Sequence, residues 1–262
     1  MARRVRNQGG MIQLTELVKQ YGRFTAVDHL TLTVPRGTLF GFLGPNGAGK
    51  TTTMRMIAGI LRPTAGAIEI AGIETWREPQ AIKAMIGYIP DRPFVYDKLT
   101  GAEFLRFVAA LYGQEGTAVE RRMDELLELF ELGPWRDEVT GSYSHGMRQK
   151  LVIASAFVHR PQLIVVDEPM VGLDPVGARV LKDLFRAFVR RGGTVLMSTH
   201  TLEVAELMCD RIAIIARGRI VAEGTMPELR AESASGNESL EDIFLRLTGA
   251  RPPHALDAVL DA

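Results

Sequence analysis

The sequence predicts an α/β fold that contains a mainly parallel sheet and a helical insertion. The run at 163–166 is wholly apolar, and 194–197 is apolar after Thr194; neither shows alternation of apolar and polar residues, and this lack of alternation is typical of parallel strands buried on both faces. Between the first strands and these runs, apolar residues recur at helical spacing over 104–130, which indicates a block of helices. A chain of 262 residues with 46% apolar residues can bury a substantial core, so we expect a globular protein.

Composition and charge argue against several classes of protein. The 31 acidic and 31 basic residues cancel, so no global electrostatic attraction favours nucleic acid as a partner. Cys209 is the single cysteine, so no internal disulfide can form, which fits a reducing compartment. We expect Cys209 to be a packed core thiol rather than a nucleophile. No run in the sequence approaches the roughly 18 apolar residues of a membrane-spanning helix.

The two ends are expected to lie outside the main domain. Residues 1–10 contain three arginines but no apolar run behind them, unlike a secretory signal. We expect a disordered leader, unless Met11 is the natural start. The expected parts are a main domain at 11–232 with a helical insertion at about 98–160, and a terminal part at 233–262 with a linker, a short amphipathic helix at 240–247 and a tail.

The first segments of the main domain have β character. Apolar residues at 12–18 and 30–34 predict two strands. Tyr21 lies between them and is expected in a loop, where an exposed aromatic can stack on a purine; a small core aromatic is the alternative. A third strand is expected before residue 44, after a turn at 35–37.

A glycine-rich stretch at 44–52 follows that strand directly and opens a helix, which we place at 51–59. Its glycines allow backbone angles and close approaches that a Cβ would block, so successive N–H groups can turn toward an anion. Lys50 adds a positive charge for the β and γ phosphates, and the Thr51 hydroxyl can ligate a bridging Mg²⁺. An ordinary glycine-rich turn with a surface lysine is the alternative. The predicted phosphate site comprises Gly44, Pro45, Asn46, Gly47, Ala48, Gly49, Lys50, Thr51 and Thr52.

The remaining elements follow from periodicity and from breaks at Gly and Pro. The predicted strands are 67–70, 86–89, and a hairpin of 212–215 with 220–222. The predicted helices are 79–85, two within 100–132 separated by Gly113 and Gly116, one that ends after Phe157, and those at 176–190 and 202–208.

Three polar residues follow the two buried strands. Asp167 and Glu168 come directly after 163–166, and His200 follows 194–197 by a few residues. Ligands of open α/β sheets bind at the carboxyl ends of the strands. Asp167 is therefore expected to hold a metal through water, and Glu168 to polarise the attacking water as general base. His200 is expected to contact the γ-phosphate. A solvated turn for the acids and a core position for the histidine are the alternatives.

Taken together, these motifs resemble the nucleotide-binding subunit of an ATP-binding cassette (ABC) transporter, over about 12–226. The sequence 44–51 matches the Walker A loop, 163–168 the Walker B strand and His200 the switch histidine. The stretch 144–149 matches the family signature, which other phosphate-loop ATPases lack. Tyr21 falls where the family has its adenine-stacking aromatic, and Asp174 lies in the sequence that matches the D-loop.

The resemblance implies a fold and a mechanism. The fold is a P-loop NTPase core with a mainly parallel sheet, an N-terminal antiparallel β subdomain and an inserted α-helical subdomain. ATP and Mg²⁺ would bind with Lys50, Glu168 and His200 as catalytic residues. Two cassettes, identical or paralogous, would pack head to tail around two ATP molecules. Each ATP would lie between the Walker A loop of one cassette and the signature of the other, which includes Ser144, His145, Gly146 and Met147.

ATP hydrolysis would then open the dimer and drive a separate transmembrane permease. The chain would contact the membrane only through that permease, as a peripheral protein at its cytoplasmic face. We hypothesise that the loop 91–98, with exposed Phe94 and Tyr96, forms the groove that receives a permease helix. Core positions for these two aromatics are the alternative.

Two departures from the family pattern bear on coupling. Asp91 stands where the family usually has Gln, and we expect it to be a metal ligand with Thr51 and Asp167 while coupling to the permease differs. His145 and Met147 stand where the signature usually has Gly and Gln. These variants resemble the subgroup that pairs a stand-alone cassette with a separate permease, often for export.

Three other functions are alternatives to that of an ABC transporter subunit. The first is a soluble cassette ATPase in translation, cluster assembly or DNA repair. Translation-type members usually carry two cassettes and a charged linker, and repair-type members carry long coiled coils; this chain shows neither. A phosphate-loop kinase or GTPase leaves the signature-like stretch 144–149 unexplained, and no guanine-reading Asn-Lys-x-Asp motif is present. A purely regulatory cassette is disfavoured because Lys50, Asp167, Glu168 and His200 are all intact.

Overall fold

The computed structural model describes residues 10–231 and 238–249, so the predicted leader up to residue 9, most of the linker and the tail lie outside the described residues. The strands are β1 (Gly10–Tyr21), β2 (Phe24–Pro35), β3 (Leu39–Leu43), β4 (Ala65–Ile70), β5 (Ile73–Glu74), β6 (Ile86–Ile89), β7 (Leu163–Asp167), β8 (Thr194–Thr199), β9 (Arg211–Ala216) and β10 (Arg219–Gly224). The helices are α1 (Lys50–Ile57), α2 (Pro79–Met85), α3 (Gly101–Leu111), α4 (Thr117–Leu129), α5 (His145–Val158), α6 (Pro175–Arg190), α7 (Leu202–Met208), α8 (Met226–Ala231) and α9 (Leu240–Thr248).

A six-stranded sheet in the order β10-β9-β3-β8-β7-β6 forms the centre of the molecule. Its middle strands run parallel, and only β10 pairs antiparallel to its neighbour β9. Every residue of β3, β7 and β8 is buried, as the unalternating apolar runs predicted. The mainly parallel sheet is therefore confirmed, and its β8 reaches Thr199, two residues beyond the predicted end.

The first two strands belong to a separate antiparallel sheet in the order β2-β1-β4-β5. Alternating apolar residues turn inward, and Leu14, Leu32 and Ile68 are buried in the layer between this sheet and α1. The antiparallel subdomain is thus confirmed. The loop position predicted for Tyr21 is wrong: β1 continues to this residue, where it pairs with Phe24 across a tight turn. The short strand β5 and the helix α8 were not predicted.

The helical insertion packs on the opposite face of the parallel sheet. Thr100 caps α3, and it forms a capping box with Glu103, which satisfies the free amides of the first turn. Gly113 and Gly116 both have positive φ, 66° and 95°, and they separate α3 from α4 as predicted. The buried residues of these helices share one core with α5, α6 and the sheet.

The carboxyl-terminal elements complete the layer beside β9. Leu240 and Ile243 of α9 are buried against this region, as the apolar face of the predicted helix requires. Cys209 is partly buried and packs between this cluster and the main core, as expected of a core thiol. Burial raises the pKa of its thiol to about 12, which disfavours the reactive thiolate. Across 10–231 and 238–249, no helix has both the length and the apolar character to cross a membrane.

Candidate nucleotide site

The phosphate loop joins β3 to α1 and is held by its neighbours. A Cβ at Gly49 would lie 2.5 Å from the Ala26 carbonyl oxygen, and its φ is 105°, so only glycine fits there. Ala48 accepts a hydrogen bond at 3.0 Å from the Gly218 amide, in the β9–β10 hairpin. Gly47, by contrast, has φ 77° and no atom within 4 Å of the position of a Cβ. The loop is therefore fixed at one end by packing and open at its tip.

Lys50 folds back over this loop. Its Nζ donates hydrogen bonds to the carbonyl oxygens of Gly44, at 2.6 Å, and Pro45, at 3.3 Å. Burial lowers the pKa of the Lys50 ammonium, and the charges of Glu168 and Asp167 oppose that effect. The ammonium is thus a charge held inside the loop at the start of α1, where the helix dipole also favours an anion.

Asp167 ends β7 and is buried beside β8. The strand register pairs Asp167 with Ser198, and the Ser198 hydroxyl donates to Asp167 Oδ1. Asp167 Oδ2 is buried and has no hydrogen-bond partner. A buried carboxylate oxygen without a partner is costly unless a ligand satisfies it. This oxygen suits a hard cation or a water bound to one.

Glu168 lies directly after Asp167 in an uncommon backbone conformation. Its φ is 52°, which costs free energy for a residue with a Cβ and often marks a functional site. The Glu168 amide donates to the Ser198 carbonyl at 3.2 Å. Its carboxylate Oε2 lies 2.9 Å from His200 Nδ1 and accepts from the His200 amide at 3.3 Å. The structure therefore brings Glu168 and His200 into direct contact, at the same sheet edge as the phosphate loop.

The signature residues lie at the start of α5. Ser144 is the N-cap, and its Oγ accepts from the Met147 amide at 3.2 Å. Ser144 and His145 are exposed. A Cβ at Gly172 would lie 2.5 Å from the His145 ring, so this ring packs on the turn at 172–174. The start of α5 thus contacts the D-loop stretch of its own chain.

The D-loop and the signature helix are also linked by charge. Asp174 is the N-cap of α6, and its Oδ1 accepts from the Gly177 amide at 2.7 Å. Lys150 of α5 lies 3.7 Å from Asp174 Oδ1 and 3.6 Å from Glu131 Oε2. These contacts hold the amino ends of α5 and α6 side by side.

Two predicted residues lie at the margins of the site. Tyr21 is half-exposed, with the Lys19 ammonium 5.3 Å from its ring centroid. Asp91 is exposed after β6, and its charge is among those that raise the pKa of Tyr88, after burial and the charge of Asp167. Within 10–231 and 238–249, no three His, Cys, Asp or Glu side chains gather as a metal cage. Ligation by Asp91 stays a prediction.

Sequence reasoning did not assign a role to Ser198 or to the β9–β10 hairpin. Ser198 contacts both acids through its hydroxyl and carbonyl groups. The signal in the sequence that could have identified Ser198 is its position between a buried strand and His200. The contact of Gly218 with the phosphate loop spans most of the chain length, so no local pattern signals it.

Comparison with known proteins agrees with this geometry. Residues 27–171 match the family described as ABC transporter. The chain is 42% identical over 224 residues to the daunorubicin/doxorubicin resistance ATP-binding protein DrrA of Streptomyces peucetius, which covers 86% of this chain and 68% of DrrA.

Solved structures show the same likeness. A structure described as the ATP-binding subunit of an ABC transporter has a TM-score of 0.87 and 34% identity, covering 91% of this chain and 99% of the other. A dimeric ATP-binding cassette in a post-hydrolysis state, bound to ADP and Pi, has a TM-score of 0.75 and 25% identity, covering 82% and 99%. The chain therefore belongs to the ABC transporter family, as an ATP-binding and ATP-hydrolysing subunit of a class that dimerises and works with transmembrane permease components.

Proposed function

We propose that this subunit hydrolyses ATP with Glu168 as general base and drives a separate permease in the direction of export. The observation that carries this proposal is the placement of Glu168, His200 and Lys50 at one sheet edge. His200 Nδ1 lies 2.9 Å from the Glu168 carboxylate, and the charge of that carboxylate acts on Lys50. A base, a γ-phosphate contact and a phosphate-binding cation are what phosphoryl transfer to water requires.

The residues of the site have distinct roles in this mechanism. The backbone N–H groups of 44–52, which Pro45 lacks, and the Lys50 ammonium hold the phosphates in line with the attacking water. Glu168 accepts a proton from that water, and His200 orients the Glu168 carboxylate and contacts the γ-phosphate. Tyr21 stacks on the adenine through its exposed ring.

Mg²⁺ is the implied metal, and the donors present fit it. Thr51 supplies a hydroxyl, and Asp167 supplies the buried Oδ2 that lacks a partner; Asp91 is proposed as a further ligand. When bound, Mg²⁺ neutralises charge on the phosphates. Ser198 keeps Asp167 Oδ1 engaged, which leaves Oδ2 as the oxygen available to the metal or its water.

The signature supports a dimer that encloses the nucleotide. Ser144, His145, Gly146 and Met147 begin a helix of 14 residues, whose dipole and free amides favour a phosphate. Ser144 and His145 are exposed, and the His145 ring packs on Gly172 in the D-loop of its own chain. A second cassette, packed head to tail, would present these groups to the γ-phosphate. ATP would hold the pair closed and hydrolysis would release it.

The permease is proposed to dock at the exposed aromatic residues beside the helical insertion. Phe94 and Tyr96 are 69% and 47% exposed. The Tyr96 ring lies 5.3 Å from both the Phe94 ring and the half-exposed Phe107 ring. Exposed apolar clusters of this kind mark protein interaction sites. Their place next to Asp91 would connect the permease with the nucleotide site.

Phe94→Ala is expected to lower transport by the assembled transporter about fivefold or more, because truncating an aromatic anchor of an interface costs about 1 kcal/mol or more. The ATPase rate of the isolated subunit should stay at the wild-type level. Transport and ATPase rates in reconstituted vesicles measure the two effects. Leu207→Ala is the control, since Leu207 is 66% exposed on α7, away from this cluster. Unchanged transport in Phe94→Ala would contradict the docking site.

The export direction is supported by the subgroup features of the sequence and by the resistance role in the name of DrrA. A stand-alone cassette of this type is proposed to lie at the cytoplasmic face of the membrane and to contact it through the permease. Residues 11–232 would form the ATPase domain, and 233–262 a linker, helix and tail.

Affinity capture of Glu168→Gln from detergent-solubilised membranes with ATP and Mg²⁺ tests the transport role. Slowed hydrolysis should trap the closed assembly, so we expect recovery of a protein with several membrane spans. Glu203→Gln is the control, because Glu203 is exposed on α7. This variant should recover less of the membrane protein than Glu168→Gln does. Recovery of soluble partners alone, or of a bare cassette dimer, would favour a soluble ABC ATPase instead.

A further inference from the structure

A cavity lies at the edge of the parallel sheet opposite the nucleotide site. Its volume is about 190 Å³, and its lining comes mainly from residues at the amino ends of β3, β7 and β8 and at the carboxyl end of α6, with Met11 of β1. The carboxyl ends of these three strands lead to the phosphate loop, the acids and His200. The cavity is therefore separated from the nucleotide by the length of the strands. The lining residues that matter here are Arg36, Gln162, Phe188, Arg191, Gly193 and Thr194.

Two arginines make this cavity positive. Arg36 and Arg191 both line it, and no aspartate or glutamate does. Neither guanidinium takes part in an ion pair of the described residues. A guanidinium offers a planar fork of donors that matches a carboxylate or a phosphate.

Arg191 is not needed to cap the helix that precedes it. Arginines near a helix end often neutralise its last carbonyl groups. Here the carbonyl oxygens of Ala187, Phe188 and Val189 already accept hydrogen bonds from the backbone amides of residues 191–193. The Arg191 guanidinium is thus left for another anion.

The cavity also has a fixed aromatic wall. A Cβ at Gly193 would collide with the Phe188 ring, so glycine lets this ring lie against the backbone. Phe188 also packs edge-on against Phe157, with ring centroids 5.5 Å apart. Buried Thr194 accepts a hydrogen bond from the Gly37 amide at 3.0 Å, which leaves its hydroxyl hydrogen free to donate. An apolar wall beside cationic and hydroxyl donors suits an amphipathic anion.

We propose that this cavity binds a small organic anion in which a carboxylate or phosphate is attached to a compact apolar group. The anionic head pairs with Arg36 and Arg191, and the apolar group lies on Phe188. A cavity of about 150 Å³ is large enough for benzene, so a ligand the size of benzoate fits. The site is distinct from the ATP site, because no residue of the phosphate loop lines it.

Ligand-observed NMR titration of the full chain with benzoate tests this site. ADP and Mg²⁺ are kept saturating so that the nucleotide site is filled. Benzoate should bind saturably. Benzamide, a neutral molecule of nearly the same shape, should bind at least about tenfold more weakly, because the charge-assisted hydrogen bonds are lost. Acetate, which lacks the ring, should also bind more weakly.

Substitutions then locate the bound probe. Arg191→Gln and Arg36→Gln should each weaken benzoate binding about tenfold, and both side chains are exposed, so folding should persist. Arg190→Gln is the matched control, because Arg190 is the adjacent exposed arginine but does not line the cavity; binding should be unchanged. Equal binding of benzoate and benzamide, or no effect of Arg36→Gln and Arg191→Gln, would overturn the proposal. Benzoate binding that is seen only without ADP, and is lost once ADP and Mg²⁺ saturate the nucleotide site, would also overturn it.

Discussion

Glu168→Gln is expected to reduce the ATPase rate by about 10²–10⁴-fold, the contribution typical of a general base. Glutamine keeps the size of the side chain and an oxygen that can accept the His200 amide hydrogen bond, now 3.3 Å from the carboxylate. It cannot take a proton from the attacking water. ATP affinity should change little because Glu168 belongs to the hydrolysis step. Phosphate release under saturating ATP, with nucleotide binding measured separately, checks both expectations.

The matched control for this substitution is Glu203→Gln. It makes the same chemical change at an exposed position on α7, three residues beyond His200, and should leave the ATPase rate at the wild-type level. A Glu168→Gln rate within about tenfold of wild type would place the general base elsewhere. The Glu168 carboxylate would then serve to orient His200, its neighbour at 2.9 Å.

Gly49→Ala is expected to lower the free energy of unfolding by about 2–5 kcal/mol, from backbone strain together with overpacking. The strain arises because φ is 105°, a conformation disfavoured for residues with a Cβ. The overpacking arises because the new Cβ would lie 2.5 Å from the Ala26 carbonyl oxygen, which belongs to β2 rather than to the loop. ATP affinity should fall about a hundredfold as the loop amides shift away from the phosphates.

Gly47→Ala separates these two causes. Its φ is 77°, but no atom lies within 4 Å of the new Cβ, so only the strain of about 1–2 kcal/mol applies. Urea unfolding of both variants in the absence of nucleotide gives the comparison. Equal losses of stability would mean that contact with β2 does not hold the phosphate loop in place.

Much of the fold was predictable because its signals are local. The unalternating run at 163–166 predicted a strand buried on both faces, and β7 has that environment throughout. Gly113 and Gly116 predicted the break between two helices and have the positive φ that ends one helix and precedes the next. Tyr21 shows the limit of such signals. The sequence Tyr21-Gly22 suggests a loop, but pairing with Phe24 extends the strand through it.

The residues of the candidate site likewise fall into those that local motifs predict and those whose contacts depend on the fold. The phosphate loop, the strand ends that carry Asp167, Glu168 and His200, and the signature at the start of a helix could be predicted from the sequence, because each is a short motif whose geometry depends on adjacent residues. Three features became visible only in the folded chain: Ser198 donates a hydrogen bond to Asp167, Gly218 supports the phosphate loop, and Arg36 and Arg191 line one cavity. These contacts join residues distant in the chain, and they depend on the order and register of the strands, which no local pattern specifies.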